Sequence, residues 1–196
     1  TSTIDIIRRN KKNFNVILLS TNNNVSKILK QAIEFNVKKI IISNKSKYLK
    51  FKNEFKKRNI KVYEKNTSIN QIIKKKIDYT MCAITGLEGL KSTLELIKFT
   101  KKIAIANKES LICGWNLIEK KLKKYRTQFI PVDSEHFSIW SLLDQSSNLD
   151  VEEIIITASG GPFLTYPLNK FKKIKPKSAL KHPNWKMGNK ISIDSA

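Results

Sequence analysis

Phe14-Asn15-Val16-Ile17-Leu18-Leu19-Ser20, the polar turn Thr21-Asn22-Asn23-Asn24, the stretch 25–35 (VSKILKQAIEF) and then Lys39-Ile40-Ile41-Ile42-Ser43 decide the fold. The first run is dense in branched apolar residues, which favour strands. From residue 25 the period changes, and Val25, Ile28, Leu29, Ala32 and Ile33 fall on one helical face. The third run is apolar at successive positions, the signature of a strand buried on both faces. Strand, helix, strand in this order predicts a helical crossover and parallel pairing.

The alternation continues outward. Residues 1–9 predict a helix, 46–58 a helix, 60–63 a strand, 69–76 a helix and 79–85 a strand. Leu90, Leu94 and Ile97 mark the next helix and 102–106 (KIAIA) the next strand. Leu111, Trp115, Ile118 and Leu122 form an apolar stripe on the helix after that. Residues 128–132 and 153–159 predict strands with polar clusters at their C-terminal ends, where open α/β sheets bind ligands. The fold class is therefore α/β, with a doubly wound parallel sheet.

With 196 residues the chain holds one full domain and part of another, since domains typically run to about 100–200 residues. A hydrophobic share of 40% argues for a packed core over disorder. No apolar stretch approaches the roughly 20 residues of a membrane span and no signal-peptide pattern is present, so the expectation is a cytoplasmic protein without a membrane partner. Cys82 and Cys113 form no metal-type pair and are expected to be small core residues in a reducing compartment. The net charge of +22 raises a nucleic-acid partner, but its distribution argues against one. The charge is nearly all Lys, spread over helix faces and turns, and Arg occurs only at Arg8, Arg9, Arg58 and Arg126. A basic surface of this kind helps to attract small anions.

Four blocks carry chemistry. In Pro131-Val132-Asp133-Ser134-Glu135-His136, two carboxylates stand two residues apart at the end of an apolar strand. If the strand continues through them they point the same way and can share a hard divalent cation. Alternatively, Asp133 or Ser134 caps the helix bearing Ile139, Trp140 and Leu143; the two readings are compatible. Ala106-Asn107-Lys108-Glu109-Ser110 ends a strand and opens a helix, placing a Lys able to stabilise developing negative charge. Ser159-Gly160-Gly161 follows an apolar run, and its glycines permit close backbone approach to an anion or simply form a turn. His182-Pro183-Asn184-Trp185-Lys186-Met187-Gly188 holds a Trp with no helical or strand periodicity to bury it.

These blocks, in this order and at these separations, closely resemble the 1-deoxy-D-xylulose 5-phosphate reductoisomerase family along the full length of the chain, which matches about the first half of such an enzyme. The resemblance implies a Rossmann-like domain over residues 1–126 that binds NADPH, then the beginning of an α/β catalytic domain over 127–196. It implies conversion of 1-deoxy-D-xylulose 5-phosphate to 2-C-methyl-D-erythritol 4-phosphate with Mg²⁺ or Mn²⁺, in a homodimer when complete. The residues matching Asp133 and Glu135 hold the metal, and Lys108 acts with them in catalysis. Those matching Lys108, Ser134, Glu135, Ser159, His182, Trp185 and Ser195 contact the substrate, with Ser159, His182 and Ser195 at its phosphate. Those matching Asn22, Asn24, Asn107, Glu109 and Gly188 serve the cofactor. Asn23 stands where the family often carries Lys, so one cation for the 2′-phosphate is lost; Asn22 to Asn24 also suit a turn and helix cap. The glycine-rich pyrophosphate turn is expected upstream of Thr1 and an Asn-Lys pair followed by Glu downstream of Ala196, so the fragment alone is expected to be inactive.

Overall fold

Within each sheet of the N-terminal part the strands run parallel, so their carboxyl ends share one edge. The structure, a computed structural model, describes residues 2–143, 151–156, 160–183 and 188–194. It divides into two compact units, Thr1–Phe137 and Ser138–Ala196.

The first unit runs α1 (Ser2–Arg9), β1 (Leu19–Thr21), α2 (Val25–Glu34), β2 (Lys39–Ile42), α3 (Lys45–Lys57), β3 (Lys61–Glu64), α4 (Ile69–Ile72), β4 (Ile77–Cys82), α5 (Glu88–Leu96), β5 (Thr100–Ile105), α6 (Lys108–Tyr125) and β6 (Gln128–Pro131), and α7 (Ser134–Leu143) begins within it. The strands form two three-stranded sheets, β1-β2-β3 and β4-β5-β6, with every pairing parallel. Ile40 and Ile42 of β2 and Ile103 and Ile105 of β5 are fully buried, as central strands covered by helices require. Tyr63, Ile69, Ile72 and Ile73 form a core to which Ile41 of one sheet and Ile77 of the other both contribute.

Strand β1 is shorter than the apolar run 14–20 predicts. Among the described strands it pairs with β2, Leu19 opposite Ile40, and β2 begins at Lys39, so in this register the residues before Leu18 face no strand residue. The helix predicted over 69–76 closes at Ile72, where Ile73 turns to extended backbone and stays buried. The lysines around this turn serve helix ends: Lys39 Nζ donates to the Ile72 carbonyl at 2.6 Å and Lys76 Nζ to the Tyr125 carbonyl at 2.8 Å. Of the two cysteines, Cys82 is buried as expected but Cys113 is exposed. Cys113 lies off the stripe of α6, whose buried face is Ser110, Leu111, Gly114, Ile118 and Leu122. Trp115 is 39% exposed at the edge of that stripe, packed edge-on against Phe129 at 5.5 Å.

Three helices return to the sheets by one device. Asn36, Asn59 and Arg126 follow α2, α3 and α6 with φ of 52°, 58° and 49°, the left-handed region. In each case the next residue donates back five positions: Val37 to Ala32 at 2.8 Å, Ile60 to Phe55 at 3.0 Å, and Thr127 to Leu122 at 3.1 Å. This is the Schellman closure, and its apolar contact is supplied by the buried members of the same pairs.

In the second unit, residues 151–156 form no strand, and Ile154, Ile155 and Ile156 are exposed. The strand predicted over 153–159 is therefore not formed in its described part, because no described strand lies beside it to complete a ladder; residues 157–159 lie outside the described residues. Gly160 and Gly161 take φ of 74° and 56° and lead into a 3₁₀ turn at Gly161–Phe163. Phe163, Tyr166 and Phe171 pack as an aromatic trio, with centroids 5.8 to 6.4 Å apart. Short helices α8 (Pro176–Ala179) and α9 (Asn189–Asp194) follow.

Candidate functional site

In the first unit, the polar clusters picked out in the sequence follow strands β1, β5 and β6 at their carboxyl ends. After β1, Asn24 caps α2, its Oδ1 accepting the Lys27 N–H at 3.3 Å, and the Asn24 N–H donates to Thr21 Oγ1 at 3.2 Å. Asn23 Oδ1 accepts from Asn44 Nδ2 at 2.9 Å, and Asn44 in turn caps α3. The turn-and-cap reading thus holds for Asn23 and Asn24, while Asn22 is exposed beside them.

After β5, Asn107 caps the 18-residue helix α6 and is only 4% exposed. Its Oδ1 accepts the Ser110 N–H at 2.9 Å. Its Nδ2 donates to the carbonyls of Ile84 and of Gly86, the latter at 2.7 Å. Lys108, exposed, is the first residue of α6. A cation there faces the positive end of the helix dipole, an unfavourable place unless an anion joins it. Glu109, half-buried, complements that dipole.

After β6 the strand stops at Pro131 and α7 starts at Ser134, so the pleat does not carry Asp133 and Glu135 to one side. Asp133 is instead the cap: its Oδ1 accepts the His136 backbone N–H at 2.9 Å, and its carbonyl accepts from Phe137 N–H at 3.0 Å. The His136 ring adds Nδ1 at 2.6 Å to the same Oδ1. The Asp133 side chain is 14% exposed, and its other oxygen, Oδ2, is buried without a hydrogen-bond partner. Burial alone would push its carboxyl up, but the two bonds and the coulombic pull of His136, together with the Asp133 backbone N–H, hold it below the usual Asp range. Glu135 lies in the first turn of α7 and is exposed, with Ser134 Oγ donating to its Oε2 at 3.0 Å. An ionised carboxylate with an uncommitted buried oxygen, beside a second carboxylate, is a hard-oxygen donor set.

In the second unit, His182 is half-buried and Gly188 is exposed with open space where a Cβ would stand. Ser159, Trp185 and Ser195 lie outside the described residues.

Sequence reasoning passed over Gly89. A Cβ there would fall within contact of the Asn107 carboxamide and 2.5 Å from the Ile84 carbonyl oxygen. The available signal was the spacing Gly86-x-x-Gly89 between a strand and a helix, the strand-turn-helix context in which glycines permit close backbone packing.

Two family models match the chain: 1-deoxy-D-xylulose 5-phosphate reductoisomerase over residues 1–114 and the C-terminal domain of the same enzyme over 129–196. The chain is 56% identical over 197 residues to the 1-deoxy-D-xylulose 5-phosphate reductoisomerase of Pelagibacter ubique (strain HTCC1062), covering 100% of this chain and 51% of that protein. It is 41% identical to that of Wolbachia pipientis subsp. Culex pipiens (strain wPip), covering 99% and 50%. The solved Zymomonas mobilis enzyme in complex with NADPH superposes with a TM-score of 0.83 at 36% identity, covering all of this chain and 50% of that one. A second solved structure, of a DOX-P reductoisomerase in complex with NADPH, fosmidomycin and magnesium, gives 0.79 at 33% identity, with 99% and 50% covered. The chain spans about half the length of the curated relatives it matches. With a parallel α/β architecture that superposes on solved members and family models that match along both units, the chain belongs to the 1-deoxy-D-xylulose 5-phosphate reductoisomerase family.

Proposed function

We propose that the complete protein converts 1-deoxy-D-xylulose 5-phosphate to 2-C-methyl-D-erythritol 4-phosphate, with NADPH as reductant and Mg²⁺ or Mn²⁺ as cation. Residues 1–126 serve the nucleotide and 127–196 open the metal and substrate domain. The observation that carries this reading is Asp133 Oδ2, a buried carboxylate oxygen left without a partner in a family with a magnesium-bound member. Magnesium is commonly held through one or two carboxylates, so Asp133 and Glu135 fit it although no group of three metal-ligating side chains gathers among the described residues. The corner at Gly86 fits a nucleotide, because its left-handed backbone carries no side chain and has open space around it.

When bound, the cation supplies a Lewis acid to substrate oxygens and NADPH supplies a hydride. Asp133 and Glu135 would hold the cation, and His136 fixes Asp133 through Oδ1 so that Oδ2 would be the oxygen left for it. Lys108 donates to a substrate oxygen and stabilises charge developing there. Ser134 and Glu135 orient the substrate, while Ser159, His182 and Ser195 bind its phosphate. Trp185 closes over it and excludes water. Asn22, Asn24, Asn107, Glu109 and Gly188 serve the cofactor. The protein works as a cytoplasmic homodimer without nucleic-acid or membrane partners; no helix among the described residues is long and apolar enough to cross a membrane.

The test is NADPH oxidation by the complete protein, followed with and without the sugar phosphate and with metal titration. Asp133→Ala and Glu135→Ala should each lower turnover by on the order of 10²–10³ while NADPH binding is kept. Near-normal turnover in either variant removes that residue from the metal site.

A further inference from the structure

Asn107 has no donor left for a ligand. A carboxamide offers two N–H hydrogens, and Nδ2 of Asn107 gives them to the carbonyls of Ile84 and Gly86. Its oxygen takes the Ser110 N–H, and the side chain is almost wholly buried. These bonds tie the corner between β4 and α5 to the first turn of α6. Gly89 lies against the same carboxamide, with no room for a side chain between Asn107 and the Ile84 carbonyl. The two corner glycines serve opposite needs. Gly86 is demanded by backbone conformation, with φ of 72° and open space around it, whereas Gly89 is demanded by space within a helix.

We propose that Asn107 and Gly89 form a positioning pair that sets the shape of the corner at residues 84–88, and that Asn107 acts on NADPH through this corner rather than through its own side chain. The inference rests on the cofactor reading above. The corner follows β4 as the N-terminus of α6 follows β5, both at the carboxyl ends of strands, the edge where such folds receive nucleotides. A brace spanning two neighbouring strand-to-helix corners fixes their relative place without touching what binds between them.

The test measures NADPH dissociation constants by titration calorimetry on the ligand-free complete protein, with amide exchange at residues 84–90 as a second readout. Asn107→Ser keeps a cap and loses the brace; Gly89→Ala keeps Asn107 and displaces it. Each should weaken NADPH binding by at least tenfold and speed exchange at residues 84–90. The double variant should bind no more weakly than Asn107→Ser alone, because both changes break one contact. Ile118→Val, a buried change elsewhere on α6, supplies the stability control and should leave the dissociation constant within twofold. If Asn107→Ser does not fold, Gly89→Ala alone must still weaken binding. Additive losses in the double variant would make Asn107 a direct contact and overturn the proposal, as would normal binding by Gly89→Ala. Failure of the unmodified protein to bind NADPH would overturn the cofactor reading itself, and this inference with it.

Discussion

His136 binds Asp133 twice, through its backbone N–H at 2.9 Å and its ring Nδ1 at 2.6 Å, and both bonds end on the same oxygen, Oδ1. The backbone bond is an ordinary helix cap. The ring bond does more: with a carboxylate as acceptor, Nδ1 carries the hydrogen, and the carboxylate plane is fixed from two directions. A residue three positions on thereby decides which oxygen of Asp133 is free.

Removing the ring should therefore loosen the metal without removing a ligand. His136→Ala in the complete protein is expected to weaken Mg²⁺ or Mn²⁺ binding by roughly 10–100-fold, the usual cost of losing an orienting partner. Metal titration of activity reads this directly. Activity restored at high metal supports the positioning role; unchanged metal affinity refutes it.

Lys108 gives a prediction in which stability and activity move apart. Its place at the start of α6 opposes the helix dipole, so Lys108→Ala should leave the protein as stable or stabilise it by up to about 1 kcal/mol. The same change should lower kcat/KM on the order of 10²-fold. Denaturant unfolding and steady-state kinetics on one preparation decide it. Lower stability with normal kcat/KM would make Lys108 an ordinary surface residue.

Arg126 closes α6 at φ of 49° without being a glycine. The left-handed conformation costs an L residue about 1–2 kcal/mol, partly offset for Gly by its greater freedom when unfolded. Arg126→Gly should stabilise by up to about 1 kcal/mol. Arg126→Val, branched at Cβ, should destabilise by more than that. The unfolding midpoints of the two variants should fall on opposite sides of the parent, and a shared direction would contradict the backbone argument.

The two thiols should react very differently. Burial pushes the Cys82 thiol up to about 11, so at about pH 8 roughly one molecule in a thousand carries the thiolate. Cys113 is exposed. Peptide mapping after brief alkylation should find Cys113 labelled and Cys82 labelled only after unfolding. Early labelling of Cys82 would mean that the second sheet opens locally.

Much of this was legible in the chain, and the exceptions share a cause. The stripes Val25-Ile28-Leu29-Ala32-Ile33 and Leu111-Trp115-Ile118-Leu122 placed their helices because burial follows period, although Ile33 and Trp115 at their margins are exposed. Phe14 to Leu18 and Ile154 to Ile156 looked like strand and are not, because a strand needs a partner and apolar content does not name one. Asp133 and Glu135 were found as a pair, and of the two geometries offered for them, a continued pleat and a cap at Asp133 or Ser134, the cap at Asp133 is the one that forms. The link between Asn107 and Gly89 lies 18 positions apart in sequence and carries no period at all. Only the fold brings it together.

The three left-handed returns at Asn36, Asn59 and Arg126 bear on how such a sequence can drift. Each asks only for one residue tolerant of positive φ and one apolar or small residue after it to bury. Asn107, Gly89 and Asp133 have no such latitude, since each is held by specific atoms. For anyone attaching a dye or a surface anchor, Asn36, Asn59 and Arg126 are exposed positions of this tolerant kind.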